Sequence, residues 1–259
     1  MSLKGTTRAE KIWNFLISKG LSEYGVAGLM GNLQAESALN PKNLQQTYEK
    51  KLGHTDASYT AAVDAGTYMN FVKDSAGYGI AQWTYWSRKE DLLIYARRCK
   101  ASIGDLEMQL CFLWNELCES YGSVLTTLKN AKTIREASDA VLMNYERPAN
   151  QVASVQNARA AYAQEFFDRY GTKTEPKVGD IVTFTGCKHY TSANSSTAKA
   201  CKGGKAQITE IYQLGKSKHP YHLKRVSGSG ATVYGWVDAG TFTKDVQNDA
   251  QSVAKVKAE

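Results

Sequence analysis

Gly25-Val26-Ala27-Gly28-Leu29-Met30-Gly31-Asn32-Leu33-Gln34-Ala35-Glu36-Ser37-Ala38-Leu39-Asn40-Pro41 is the stretch on which the fold turns. Its Ala, Leu, Met and Gln content, without a β-branched cluster, predicts a helix over Val26–Ala35. Leu29, Leu33 and Glu36 stand at i, i+4 and i+7 and share a face that is otherwise apolar. A carboxyl on that face is desolvated, which favours its protonated form, and general acid catalysis near neutral pH needs a protonated carboxyl. The other reading is an ordinary solvated glutamate near a helix end. Pro41 disfavours helical geometry at Asn40, so Glu36 falls on the last turn. Gly28 and Gly31 each cost about 1 kcal/mol relative to Ala inside a helix, which close packing or access for a ligand would explain.

Upstream, Ile12, Trp13, Leu16 and Ile17 form a helical stripe, Gly20 is a natural stop, and Ser22 is a candidate N-cap for the Glu36 helix. Downstream, residues 42–76 contain short helical pieces broken by polar and turn residues, and carry Glu49, Asp64 and Asp74. A long irregular connection bearing carboxylates is a candidate cleft wall. Asp74-Ser75-Ala76-Gly77-Tyr78-Gly79-Ile80-Ala81-Gln82-Trp83 follows. Its glycines permit positive φ and close backbone approach, while Tyr78, Gln82, Trp83 and Trp86 offer the flat faces and polar groups that sugar rings use. From Ser87 to Tyr170 the apolar spacing is helical throughout. Thr133-Ile134-Arg135-Glu136 reads as a capping box, and Pro148 ends a helix after Tyr145-Glu146-Arg147. Most aromatics there are core positions; Tyr145, at a helix end, stands apart.

Composition changes at Gly171-Thr172-Lys173-Thr174-Glu175-Pro176, which reads as a linker. Beyond it, 180–185, 206–212, 221–226 and 232–237 alternate and are β-branched or aromatic, as expected of a small barrel. The organisation expected is therefore multi-domain: a mainly α domain over 6–172, a linker at 173–176, a small all-β barrel over 177–243 and a polar tail from 244 to 259. Charge follows the same division. Residues 1–172 carry 19 Lys/Arg and 18 Asp/Glu, against 13 and 7 in residues 173–259, so the basic excess sits in the second part. Such a patch suits an anionic cell-wall polymer, anionic lipid or nucleic acid, or merely keeps the surface soluble. The basic residues are not interleaved with a stacking-aromatic motif, so no nucleic-acid partner is expected.

No run of about 18 apolar residues marks a membrane span, and the first residues lack a signal peptide's apolar stretch. The cysteines are Cys99, Cys111, Cys118, Cys187 and Cys201, an odd number without a C-x-x-C pair. Cys111 and Cys118, a heptad apart, read as buried free thiols, and Cys187 and Cys201 could pair if two strands bring them together. His54, His189, His219 and His222 lack the spacing of a zinc helix, so neither metal nor cofactor is expected.

Four segments together resemble the phage tail lysozyme family, a branch of the lysozyme-like fold: 28–37, Leu39-Asn40-Pro41, 77–83 and Tyr145-Glu146-Arg147-Pro148. Residues 177–243, with Val178-Gly179-Asp180 and Tyr234-Gly235-Trp236-Val237, look like a bacterial SH3-like wall-binding barrel. The resemblance implies hydrolysis of the peptidoglycan glycan strand, with Glu36 as catalytic acid. It implies that Gly77 through Gln82 form a strand holding the sugar, with Tyr78, Gly79, Gln82, Trp83 and Tyr145 in contact with substrate. Asp74 takes the place of a water-positioning aspartate in the related goose-type enzymes. A second such aspartate is replaced by Thr84, which leaves Asp64 in reserve.

These expectations describe a β-1,4 muramidase with carboxyls about 6.5–9.5 Å apart, inverting at the anomeric carbon. Attack by the sugar's own 6-hydroxyl would instead make a lytic transglycosylase. A non-catalytic wall-binding or virion-structural protein is the reading of another class, since fold alone never guarantees turnover. Under the enzyme reading the chain is a monomer acting outside the cell or from a virion, without inserting into membrane.

Overall fold

The computed structural model describes residues 2–172 and 175–244. Lys173 and Thr174 of the expected linker, and residues 245–259 of the expected tail, lie outside that set. The described residues fall into two compact units on either side of Thr172.

The first unit is helical: α1 Arg8–Ser18, α2 Glu23–Ser37, α3 Gln46–Leu52, α4 Asp56–Asp64, α5 Trp86–Cys99, α6 Leu106–Glu119, α7 Gly122–Asn130, α8 Ile134–Val141 and α9 Ala153–Tyr170. A π-helical turn, Leu142–Glu146, continues α8 and ends at Arg147 in the left-handed region. At its centre lies α2, every residue from Gly25 to Leu33 being buried, so it is enclosed on all sides and not merely along one stripe. Ser22 caps it as expected, accepting from Gly25 N at 3.0 Å while donating to Leu128 O.

The helical glycines of α2 serve packing. A Cβ on Gly28 would come within 2.5 Å of Ala137 Cβ in α8, and one on Gly31 within 2.5 Å of the Arg159 carbonyl in α9. Helix α2 ends where Ala38 (φ 51°) and Leu39 (φ 58°) turn left-handed. Ordinary side chains meet a cost in that region, which here lets the chain leave the core directly after Glu36. Thr133 caps α8 by accepting from Glu136 N at 3.2 Å, but the Glu136 carboxylate accepts from Lys132 N, so the expected box closes one residue early. Cys118 is exposed and Cys111 half-buried, both as free thiols. Their heptad spacing runs beside the buried stripe of Leu110, Leu113 and Leu117.

The segment 77–83 is a tight turn instead of a strand. Tyr78 and Trp83 exchange backbone hydrogen bonds at 3.2 and 2.9 Å around Gly79-Ile80-Ala81-Gln82. Gln109, buried in α6, holds the turn by accepting from Ile80 N at 2.9 Å while donating to the carbonyls of Pro41 and Ile103. Ser37, the last residue of α2, donates to Ile80 O at 2.8 Å. The helix end and the turn are thereby fixed to one another.

The second unit is a seven-stranded antiparallel sheet curled into a half-barrel. Its strands are β1 Ile181–Phe184, β2 Lys188–Tyr190, β3 Ala198–Ala200, β4 Gly204–Ile211, β5 Tyr221–Arg225, β6 Tyr234–Val237 and β7 Phe242–Lys244, in the order β3-β2-β6-β5-β4-β1-β7. Val182, Phe184, Ala206, Ile208, Leu223, Val233 and Val237 make its core. The four expected strands correspond to β1, β4, β5 and β6. Alternation could not reveal β2, β3 and β7, each only three residues long. Cys187 and Cys201 flank the β2–β3 pair as free thiols, with Cys201 N donating to Cys187 O at 2.9 Å. No helix among the described residues is long and apolar enough to cross a membrane.

Candidate active site

The end of α2, the 79–82 turn, the start of α5 and the π-helical turn enclose a cleft of about 430 Å³. Glu36 and Glu146 lie in its wall with Gln45, Gln82, Thr84 and Arg88. Glu36 keeps 22% of its side chain exposed and is therefore reachable from the cleft. Its neighbour is not the apolar surface expected from the helix pattern. Arg159, from α9, donates Nη2 to Glu36 Oε1 at 2.5 Å and Nη1 to Glu146 Oε2 at 2.9 Å. Nη1 also donates to Asn32 O of α2 at 3.1 Å, which ties the guanidinium to the helix bearing Glu36. Burial, followed by the charge of Glu36, holds the Glu146 carboxyl well above the usual carboxylate range despite the opposing pull of Arg159.

A second arginine–carboxylate cluster supports the wall. Glu116 accepts from Arg88 Nε at 2.7 Å and Nη2 at 3.0 Å, from Trp83 Nε1 at 2.7 Å and from the Tyr145 hydroxyl at 2.8 Å. The guanidinium of Arg88 lies 4.8 Å from the centre of the Tyr145 ring. Tyr145 and Glu146 are successive residues of the π-helical turn, one reaching Glu116 and the other Arg159. Such turns re-aim side chains and are frequent at functional sites.

The expected site residues divide into two groups. Gln82 lines the cleft at φ 47°, with its Nε2 donating to Asn43 O and Oδ1, so a strained backbone is held by its own side chain. Gly79, at φ 78°, has no room for a Cβ, which would meet Gln109 and Trp83 within 2.9 Å. Tyr78, Trp83 and Tyr145 are buried behind the cleft and do not line it. Tyr78 shares a 2.6 Å hydrogen bond with Thr60, while the other two converge on Glu116. They shape the wall, whereas the exposed ring of Tyr85 lines the cleft, with exposed Trp86 next to it at 5.9 Å between ring centres.

Asp74 requires a correction. Its side chain has no exposure, and neither has that of Lys89, whose Nζ lies 2.5 Å from Asp74 Oδ1. The hydroxyls of Tyr59 and Tyr68 donate to Oδ2, and Ala76 N donates to Oδ1 at 2.9 Å. A carboxylate so enclosed has no path to a water in the cleft. Asp64 is likewise engaged elsewhere, accepting from Ser102 Oγ and Ile103 N beside a different depression. Sequence reasoning assigned no role to Glu146, Arg88 or Arg159. For Glu146 a signal existed in Tyr145-Glu146-Arg147-Pro148, where the residue beside Tyr145 is a carboxylate at a helix break.

A central enclosed helix ending in an acidic side chain, a glycine turn fixed to that end and a cleft over both define a lysozyme-type architecture. The family model described as "Phage tail lysozyme" matches residues 7–170, and the chain belongs to that family. Among curated relatives, "Morphogenesis protein 1" of Bacillus phage B103 is 27% identical over 164 residues, or 61% of this chain and 38% of that protein. The chain thus spans well under half the length of that relative.

Proposed function

We propose that the helical unit cleaves the β-1,4 bond between N-acetylmuramic acid and N-acetylglucosamine in peptidoglycan, with Glu36 as general acid. The observation that carries this reading is the position of Glu36, on the last turn of the enclosed helix, facing the cleft beside the 79–82 turn. Protonation of the glycosidic oxygen from there lets the bond break as oxocarbenium character develops. Gln82 and the exposed rings of Tyr85 and Trp86 supply polar and flat surfaces for neighbouring sugars. The basic half-barrel, which we read as SH3-like, binds the wall and raises local substrate concentration without altering the chemistry. The phage morphogenesis relative supports a virion-associated setting.

One observation favours a second reading of the same bond cleavage. The enclosure of Asp74 removes the expected water-orienting carboxylate from the cleft, which suits attack by the sugar's 6-hydroxyl and an anhydro product. Mass spectrometry of digested peptidoglycan separates the two. Reducing-end muramic acid identifies the muramidase, anhydromuramic acid the transglycosylase, and reducing-end glucosamine refutes the bond assignment. Glu36→Gln is expected to abolish turbidity loss of purified walls while leaving the fold and wall binding intact. Wild-type lysis by that variant would refute the acid assignment.

A further inference from the structure

A carboxyl held on a guanidinium gives up its proton easily, so a general acid at Glu36 needs something to offset Arg159. Glu146 is placed to do this, and the inference rests on the acid role proposed for Glu36. One guanidinium serves both carboxyls, at 2.5 Å to Glu36 and 2.9 Å to Glu146. The Glu146 side chain is only 4% exposed, and its Oε1 is buried with no hydrogen-bond partner among the described residues. If both carboxyls were ionised, one guanidinium would face two negative charges, one of them buried with an oxygen left unsatisfied. A single bound proton removes that penalty.

We propose that Glu36 and Glu146 hold a single proton between them, with Arg159 as fixed counter-charge and Glu146 as the positioning residue that keeps this proton available to Glu36. The elevated proton affinity of Glu146, caused first by burial and then by the Glu36 charge, accords with the geometry. Among the charged groups around Glu146, Glu36 comes from α2, Arg159 from α9 and Arg88 from α5, and Arg88 is bound to Glu116 through two hydrogen bonds. In the resting pair the proton is on buried Glu146 and the Glu36 carboxylate is on Arg159. As the glycosidic C–O bond breaks, Glu36 takes that proton and delivers it to the departing oxygen, leaving both carboxylates ionised around the guanidinium. Their negative charge faces the oxocarbenium character at the anomeric carbon. The attacking hydroxyl, of water or of the sugar, bonds to that carbon and returns its proton to the pair.

The test is the pH profile of kcat/KM on peptidoglycan for the full chain, with Glu36→Gln, Glu146→Gln and Glu146→Asp, each checked for folding by circular dichroism. In Glu146→Gln the alkaline limb is expected to move down by about one pH unit or more, so the loss is roughly tenfold near pH 7 and smaller near pH 5. Glu146→Asp should lie between that variant and wild type. An equal loss at every pH, with the limb unmoved, is what a merely structural role gives and overturns the proposal. Carboxyl-carbon NMR of the wild-type protein supplies a readout independent of variant folding. One glutamate carboxyl titrating well above the others supports the pair, and all of them titrating in the ordinary range overturns it. Full activity in Glu36→Gln would remove the acid assignment itself. An inactive Glu36→Gln with an unmoved limb in Glu146→Gln removes only the pair.

Discussion

Replacing Asp74 by Asn separates a structural carboxylate from a catalytic one. In the folded protein Asp74 accepts from Lys89 Nζ at 2.5 Å, from Ala76 N at 2.9 Å, and from the hydroxyls of Tyr59 and Tyr68. Asparagine can retain an acceptor for one or two of these donors but loses the charge. The Lys89 ammonium, fully buried, would keep neutral acceptors alone, among them Ala76 O at 2.8 Å and the Tyr59 hydroxyl at 3.3 Å. Breaking a buried ion pair by removing one partner costs about 3–5 kcal/mol, because the remaining charge is uncompensated. For a domain of this size, that corresponds to a fall in Tm of roughly 6–20 °C. Burial already lowers the proton affinity of Lys89, and losing Asp74 lowers it further. The folded variant then binds fewer protons than the unfolded chain, so its stability rises with pH and the deficit narrows as pH approaches the ordinary lysine pKa of about 10.4. Thermal unfolding followed at 222 nm measures this, and wall lysis well below the transition measures turnover per folded molecule. Turnover should stay within about twofold of wild type. The double variant Asp74→Leu with Lys89→Met should recover much of the lost stability, as apolar replacements of buried pairs often do. A variant with unchanged Tm and no turnover would refute this reasoning and return Asp74 to the chemistry.

Two further outcomes follow from the packing and the division into units. In Gly31→Ala the new Cβ would stand 2.5 Å from Arg159 O and 2.7 Å from Ala163 Cβ. Overpacking of about 1–3 kcal/mol then exceeds or cancels the roughly 1 kcal/mol gained in helix propensity, and lysis should fall because the displaced helix carries Arg159. Parallel measurement of Tm and lysis checks this, with unchanged lysis counting against it. Removing residues 173–259 should weaken pull-down by purified walls while sparing cleavage of soluble glycan strands; undiminished pull-down would remove the wall-binding role from the half-barrel.

The helical unit was legible because its signals are local. Ser22, Gly20 and the stripe of Ile12, Trp13 and Leu16 each act within one or two turns and sit where the sequence places them, whereas Ile17 of the same expected stripe is 36% exposed. The sheet was half legible: β4, eight residues long with inward Ala206 and Ile208, announces itself, whereas a three-residue strand such as β3 exposes every side chain and leaves no alternation. Asp74 shows the limit of motif reading. A carboxylate a few residues before a glycine turn looks available for chemistry, and only the fold brings Lys89 of α5 and Tyr59 of α4 around it. Gln109 is the converse case, a mid-helix amide whose three hydrogen bonds hold the turn together and whose neighbours in sequence give no sign of it.

The charge state of the cleft is likewise set far from Glu36 in sequence. Whether Gly31 served packing or a ligand was open from the sequence alone, and the structure joins the two possibilities. Without a Cβ at Gly31, the backbone of α9 approaches α2 at the level of the Arg159 carbonyl. That approach accompanies the Arg159 guanidinium reaching Asn32 O, Glu36 and Glu146 together. Under the acid role proposed for Glu36, a larger residue at position 31 would therefore disturb the proposed proton sharing without touching substrate. The helix that carries Glu36 thus also carries, five residues earlier, the gap that admits its counter-charge, and the π-helical turn brings the second carboxyl to the same guanidinium. Three segments converge on one arginine, so under the proposed pairing a shift in the pH profile, more than loss of activity alone, is the measurement that exposes it.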